Sequence, residues 1–552
     1  MISLLAFLLL LSIVILVHEA GHFFAGRWVG IGIERFALGF GRAIWKKTHK
    51  GIEYRVNWIP FGGYVKFVGD EPNKPVPDEL REVAFNTAPV WKRAITAFAG
   101  PAMNIVLAFV LFCVIYLAGN PTPTSLIADV EPGSPAAVAG LRAGDRVVAI
   151  DGEPIRFWQE LSDAVTANPE RELLFEVERK SETLTLTVVP KRITAMNLFG
   201  FDAERGSIGV AQNGLKPIVG IVGLDSPAFQ AGLRTGDMIL SINGTPINYF
   251  SELEETLRAQ GDKPLQIAVA RGSDNIVLAE PPTALTAKLP APPETLQAWS
   301  MNALGMESGA TFLERVVEDS PAQAAGLQAG DRLVAINGEQ VNQWGAISDL
   351  IRKNPAKNIL LTVVRGGETI ELNATPEEAE SRDLLGNVST RGRLGIYPWM
   401  IYTPAEIAPE RYFNPIKIVQ RGWQESWRWT VVTLKGFYYL IIGKAPTKSL
   451  GGPILIAQLA GESAKLGWIP FVFFMAVISL NLAFINLAPI PVLDGGHLLL
   501  LSIEGIRRKP ISDRVVGIAQ YIGLTLIGSL ILLVFYNDLS RVWFDIKDFF
   551  TQ

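Results

Sequence analysis

The sequence predicts a multi-domain membrane protein, part α-helical bundle and part repeated small α+β domain. Three observations carry that expectation. Hydrophobic residues make up 49% of the 552-residue chain, a share that suits a protein partly dissolved in lipid. Four apolar runs are long enough to cross a bilayer. In the polar middle of the chain, one motif recurs three times at a spacing of roughly ninety residues. The 50 basic and 54 acidic residues nearly balance and give no sign of a nucleic-acid partner. Cys113 is the only cysteine, which rules out an internal disulfide and a cysteine-ligated metal. Histidines and carboxylates remain as metal donors, and there are four histidines: His18, His22, His49 and His497.

The first element is residues 1–26. Its apolar run from Ile2 to Val17 continues through "HEAGHFFAG". No basic residue precedes it and no small-x-small site ends it, so it reads as a retained span rather than a cleaved signal. Residues 27–93 are basic and polar and contain "GIEYRVNWIPFGGYVKF" (Gly51–Phe67), a hairpin pattern punctuated by Pro60 and Gly62-Gly63. The second span is 94–118, the third opens 469–494, and the fourth is 515–536. Within 398–468, the run Trp429–Ile442 is short and interrupted by Lys435. It follows the Trp- and Arg-rich "RGWQESWRW", so this segment reads as juxtamembrane helices lying along the interface. Lys and Arg concentrate in 27–93 and in the loop 495–514, which places both in the cytoplasm. Both termini, including the tail 537–552, and the whole middle region are then outside.

That middle region divides into 119–211, 212–306 and 307–397. "GSPAAVAGLRAGDRVVAIDGEPI" from Gly133 is matched by "DSPAFQAGLRTGDMILSINGTPI" from Asp225 and "DSPAQAAGLQAGDRLVAINGEQV" from Asp319. Ser-Pro starts a short helix, Ala-Gly-Leu ends it, and Gly-Asp turns the chain into an apolar strand closed by Asn/Asp-Gly. A second helix and alternating strands follow in each copy. The pattern resembles a bacterial PDZ domain, three times over. Near the end of each copy lies a Φ-Gly-Φ triplet centred on Gly209, Gly305 or Gly395. In PDZ domains such a loop offers backbone N–H groups to a peptide C-terminus; the alternative is that these glycines only turn the chain. "PTALTAKLPAPPETL" (Pro282–Leu296) reads as a flexible Pro-rich insertion in the second copy.

His18, Glu19 and His22 form H-E-x-x-H inside the first span. Ionisable groups within a span are costly and mark function. Positions four apart share a helix face, so both imidazoles can bind one Zn²⁺ while Glu19 flanks a water there. The alternative is a histidine pair hydrogen-bonded inside a helix bundle. A catalytic zinc takes a third protein ligand and keeps an open position. His49, in "KKTHKG", is expected to be solvated, and His497 competes with Asp494. Depth favours Asp494. His18 lies about 24 Å down its helix, near the cytoplasmic edge of the lipid core. The third span runs inward to about Ala488, Pro489 and Pro491 break it, and Asp494 follows at the same level.

"HEAGH" on the first span, "FAGPAMN" (Phe98–Asn104) on the second and "NLAPIPVLDGGH" (Asn486–His497) after the third resemble the site-2 protease family of intramembrane zinc metalloproteases. The resemblance covers nearly the whole chain. It implies that His18, His22 and Asp494 hold Zn²⁺, that Glu19 is the catalytic base, and that Asn486 engages substrate. Asn481 matches a second polar position of that helix. The hairpin resembles the family's membrane-associated β-hairpin, whose edge at Gly62, Gly63, Tyr64 and Val65 would hold an unwound substrate as an added strand. The implied reaction is hydrolysis of a peptide bond within or near the transmembrane segment of a single-pass protein. A pre-trimmed anti-sigma factor of an envelope stress response is the implied substrate, with remnant signal peptides as others. The implied setting is the inner membrane, multi-pass, with periplasmic PDZ domains and the active site near the cytoplasmic side. Relatives of this type usually carry two PDZ domains, and three is a departure. Two other readings compete: a non-catalytic PDZ scaffold for exposed C-termini, and a zinc transporter or sensor that binds metal without hydrolysis.

Overall fold

The computed structural model describes residues 2–70, 76–131, 133–180, 182–196, 202–271, 283–290, 298–382, 388–444 and 450–551. The chain forms two compact units. One holds Met1–Asn120 and Pro409–Gln552, and the other holds Pro121–Asp383 and Asn387–Ala408.

In the first unit, four helices among the described residues are long and apolar enough to cross a membrane, matching the expected number. These are α1 (Ile2–Val29), α2 (Val90–Ala118), α5 (Trp468–Asn486) and α7 (Asp513–Thr551, apolar over Arg514–Arg541). Between them come α3 (Pro415–Ile441), α4 (Pro453–Leu466) and α6 (Asp494–Arg507). The apolar seams are interhelical. Phe7, Leu10 and Val14 of α1 pack with Ala460 of α4 and Met475 of α5. Ala108, Phe112 and Ile115 of α2 pack with Ala476 and Leu480 of α5.

Two expectations need correction, and a third segment gains a packing partner. The stretch 495–514, read as a loop, begins as α6, and the tail 537–552 continues α7 to Thr551. Residues of 398–468 expected along the interface form α3, which packs against α2 and α5. Gly422 meets Cys113, Tyr116 donates to Glu425 at 3.4 Å, and Thr433 donates to Asn481 at 2.7 Å. The tryptophan-rich face, Trp423 and Trp427, is the exposed one. Small and polar residues at Gly422, Glu425 and Ser426 form the buried face, so polarity there marks contact with a partner helix rather than with water. The N-terminus of α4 is tied to α7, where Asp538 accepts from the backbone N–H groups of Gly452 and Ile454, both at 2.9 Å.

The hairpin strands are β1 (Ile33–His49) and β2 (Ile52–Phe67). The proximal half of β1 pairs on both sides. Phe36 faces Tyr54 on one flank and Val65 on the other, so β2 bends round and its Gly63–Phe67 stretch becomes the outer strand. Phe23 of α1 packs with Ile33, Ile52 and Phe67 and seats this sheet against the first helix.

Among the described residues, the second unit contains three antiparallel four-stranded sheets of one topology. The first runs Glu153–Pro154, Arg146–Ile150, Leu173–Arg179, Glu182–Val188, and the other two repeat this order. Each repeat opens with a short helix, at Pro135, Pro227 or Pro321, capped by the preceding serine. Each also buries one carboxylate against an arginine 34 residues later. Arg179 grips Asp145 through two bonds of 2.7 Å, Arg271 grips Asp237 likewise, and Arg365 grips Asp331 at 2.6 and 2.7 Å. Hydrogen bonding to Asp145 pushes the Arg179 guanidinium pKa up further. The insertion expected at Pro282–Leu296 is in part a strand: Thr283–Leu289 is the edge of the second sheet. Residues 291–297 lie outside the described residues.

Candidate metal centre and active site

His18 and His22 stand four residues apart on α1, so both rings leave the same face. Asp494 arrives from the far end of the chain. After Asn486 ends α5, the Pro-containing turn folds back, and Asp494 starts α6. Gly495 and Gly496 make that return tight enough, because a methyl group at either would overlap the backbone carbonyls of Leu487 or Ile490. Val492 in the same turn has φ 116, a strained conformation for a β-branched residue.

His18 Nε2 lies 3.1 Å from Asp494 Oδ2 and 3.2 Å from His22 Nε2, and His22 Nε2 lies 3.5 Å from Asp494 Oδ1. Both histidines are buried, at 7% and 9% exposure. The second helix seats them. His22 Nδ1 is 2.8 Å from the Thr96 carbonyl, and Asn104 Nδ2 is 3.3 Å from His18 Nδ1. Gly100 lies between those two positions, and a methyl group there would overlap His22 Nε2.

The donor set fits zinc. A carbonyl can only accept, so neutral His22 carries its proton on Nδ1 and turns the Nε2 lone pair towards Asp494. Acceptor atoms gathered this closely call for a cation among them. Ligands about 2.0–2.1 Å from a tetrahedral zinc stand roughly 3.3 Å apart, and the observed separations bracket that value. Among the described residues, His18, His22 and Asp494 are the one group of three such side chains whose ligand atoms lie within 4.8 Å of one another.

Glu19 follows His18 on α1, half-buried, with Gly63 of β2 against its side chain. The outer stretch of β2, with Gly63, Tyr64 and Val65, therefore lies directly beside the H-E-x-x-H turn. Gly62 takes φ 96 against the Phe40 ring, and Tyr64 stacks on Phe40 and accepts from Arg35. Asn486 Nδ2 is 3.4 Å from His18 Nε2. Asn481 is instead the acceptor for Thr433 on α3. His49 is exposed at the end of β1. His497 lies on the first turn of α6, outside the convergent group. Thr96, Gly100 and Asn104 are not among the site residues expected from the sequence. The usable signal was Gly100 and Asn104, four apart on one face of α2 within "FAGPAMN".

Gly209, Gly305 and Gly395 share one geometry. Their φ values are 73, 72 and 84, and a methyl group at each would overlap the helix-capping Ser134, Ser226 or Ser320. Packing alone thus requires glycine in all three. In the first repeat the triplet also opens on a groove of about 180 Å³ lined by Trp158, Leu161 and Val165. In the second repeat a helical turn (Met301–Leu304) precedes the triplet, and Trp299 is buried in the core with Leu253 and Leu257.

The profile of peptidase family M50 matches residues 6–530. The Escherichia coli (strain K12) regulator of sigma-E protease RseP is 32% identical, over 97% of this chain and 98% of its own length. Its namesake from Salmonella typhimurium (strain 14028s / SGSC 2262) is 31% identical over 98% and 99%. Protease RseP of Yersinia pestis is likewise 31% identical over 98% and 99%.

Proposed function

The chain belongs to peptidase family M50 and is an intramembrane zinc metalloprotease of the site-2 type in the inner membrane; on that footing we propose that His18, His22 and Asp494 hold the zinc and Glu19 is the general base. The observation that carries this reading is the convergence of those three ligand atoms from opposite ends of the chain. Bound zinc supplies a Lewis acid for the scissile carbonyl and a water acidified towards neutral pH. Glu19 takes the proton from the attacking water and passes it to the leaving amine. Asn486 donates to the carbonyl oxygen as negative charge develops on it. His22 is kept in its binding tautomer by the Thr96 carbonyl.

A helical substrate hides its carbonyls, so it has to unwind, and in lipid its freed backbone groups need new partners. Gly62, Gly63, Tyr64 and Val65 offer them along the outer stretch of β2. Its position beside Glu19 supports this role. The substrate, as the family resemblance implies, is a single-pass membrane protein, an anti-sigma factor already trimmed outside. The three repeats are periplasmic PDZ domains, both termini share that compartment, and the active site lies near the cytoplasmic side. The groove beside Gly209 supports capture of a peptide C-terminus in the first repeat. Cleavage of a transmembrane reporter by wild type and Glu19→Gln, with zinc content measured in both, tests the assignment. Loss of cleavage with zinc retained is expected; equal cleavage by both proteins would refute the role given to Glu19.

A further inference from the structure

We propose that Asn104 is a positioning residue that turns its amide oxygen to His18 Nδ1–H and so aims the His18 Nε2 lone pair into the metal centre. The inference rests on the zinc reading above. Asn104 is completely buried, at 0% exposure, and its Oδ1 has no hydrogen-bond partner. Its Nδ2 faces His18 Nδ1 at 3.3 Å, while the Asn486 Nδ2 faces the other ring nitrogen of His18 at 3.4 Å. A neutral imidazole has one acceptor nitrogen and one donor, so it cannot accept from both amides.

The conflict disappears if the Asn104 amide turns by half a rotation, exchanging two atoms of nearly equal size. Its oxygen, otherwise stranded in a dry interior, then accepts from Nδ1–H. His18 Nε2 is left as a lone pair facing Asp494 and His22. The backbone already holds Asn104 for this task, because Ser479 of α5 donates to its carbonyl at 2.8 Å. One helix therefore orients both imidazoles, with the Thr96 carbonyl on His22 and the Asn104 side chain on His18, two turns apart along α2. Outer partners of this type fix the tautomer and basicity of a metal-binding histidine.

The test is zinc affinity of the purified full-length protein, measured by competition with a chelator for wild type, Asn104→Leu, Asn104→Asp and His22→Ala. Asn104→Leu keeps the volume and loses the acceptor, and it should weaken zinc binding by about 10- to 100-fold. Asn104→Asp keeps an acceptor and should stay within a few-fold of wild type. Wild-type affinity in Asn104→Leu, or equal losses in the two variants, would overturn the inference. Failure of the zinc reading looks different: wild type and His22→Ala would then bind zinc equally poorly. Should the leucine variant not fold, ¹⁵N spectra of histidine-labelled, zinc-loaded wild type decide the matter. A proton on Nδ1 of His18 is expected, and a proton on Nε2 overturns the proposal.

Discussion

In each repeat a buried carboxylate, Asp145, Asp237 or Asp331, meets an arginine of the same repeat at 2.6–2.7 Å. In the membrane unit Asp494 meets His18 and His22, and in neutral His22, with its proton donated to the Thr96 carbonyl, the nitrogen turned towards Asp494 is a lone pair. Both arrangements are polar groups withdrawn from water, and on the zinc assignment proposed above only the first is complete within the chain. The repeat pair is closed by two hydrogen bonds between opposite charges, plus a bond from the arginine to a glycine carbonyl. It stabilises a fold and asks for nothing further. On the proposed assignment, the membrane cluster gathers acceptors for a cation from outside the chain. Buried polarity satisfied by its own neighbours is architecture, and buried polarity left short of positive charge is a site.

That contrast can be broken experimentally. The largest effect is expected from His22→Ala or Asp494→Asn, where bound zinc should fall from one per chain to near none and cleavage should vanish, read by metal analysis. Glu19→Gln comes next. It should lower cleavage about 10²- to 10⁴-fold with zinc unchanged, which would separate the base from the ligands. Asp145→Ala strands Arg179 and should cost about 3–5 kcal/mol, seen as earlier thermal unfolding of the first repeat, with zinc content at the wild-type level. Asp538→Ala removes the cap on α4 and should cost about 1 kcal/mol, a small shift in the unfolding of the membrane unit. Loss of zinc in Asp145→Ala, or its retention in Asp494→Asn, would erase the distinction drawn between the two regions.

Much of this was legible from residues alone. H-E-x-x-H, the four apolar runs and the recurring Ser-Pro…Gly-Asp pattern are signals of spacing, and spacing survives without coordinates. The Asp–Arg pairs were equally readable in principle, since aspartate and arginine recur 34 residues apart in every repeat. The Thr96 carbonyl was not, because a backbone acceptor leaves no mark on residue identity. The packing of α3 was not legible for a physical reason: tryptophan and arginine suggest an interface and say nothing of Gly422, Glu425 and Ser426, which are what its neighbours touch. Helix α6 was hidden by Arg507, Arg508 and Lys509, a charge run that reads as loop but closes a helix.

The most direct measurement is zinc K-edge X-ray absorption on the purified protein in a lipid environment. A shell of nitrogen and oxygen donors with the scattering of two imidazoles is expected for wild type, and in His22→Ala, which should hold almost no zinc, the absorption edge itself should all but vanish. A shell without imidazole, or one unchanged by that substitution, would contradict the zinc assignment.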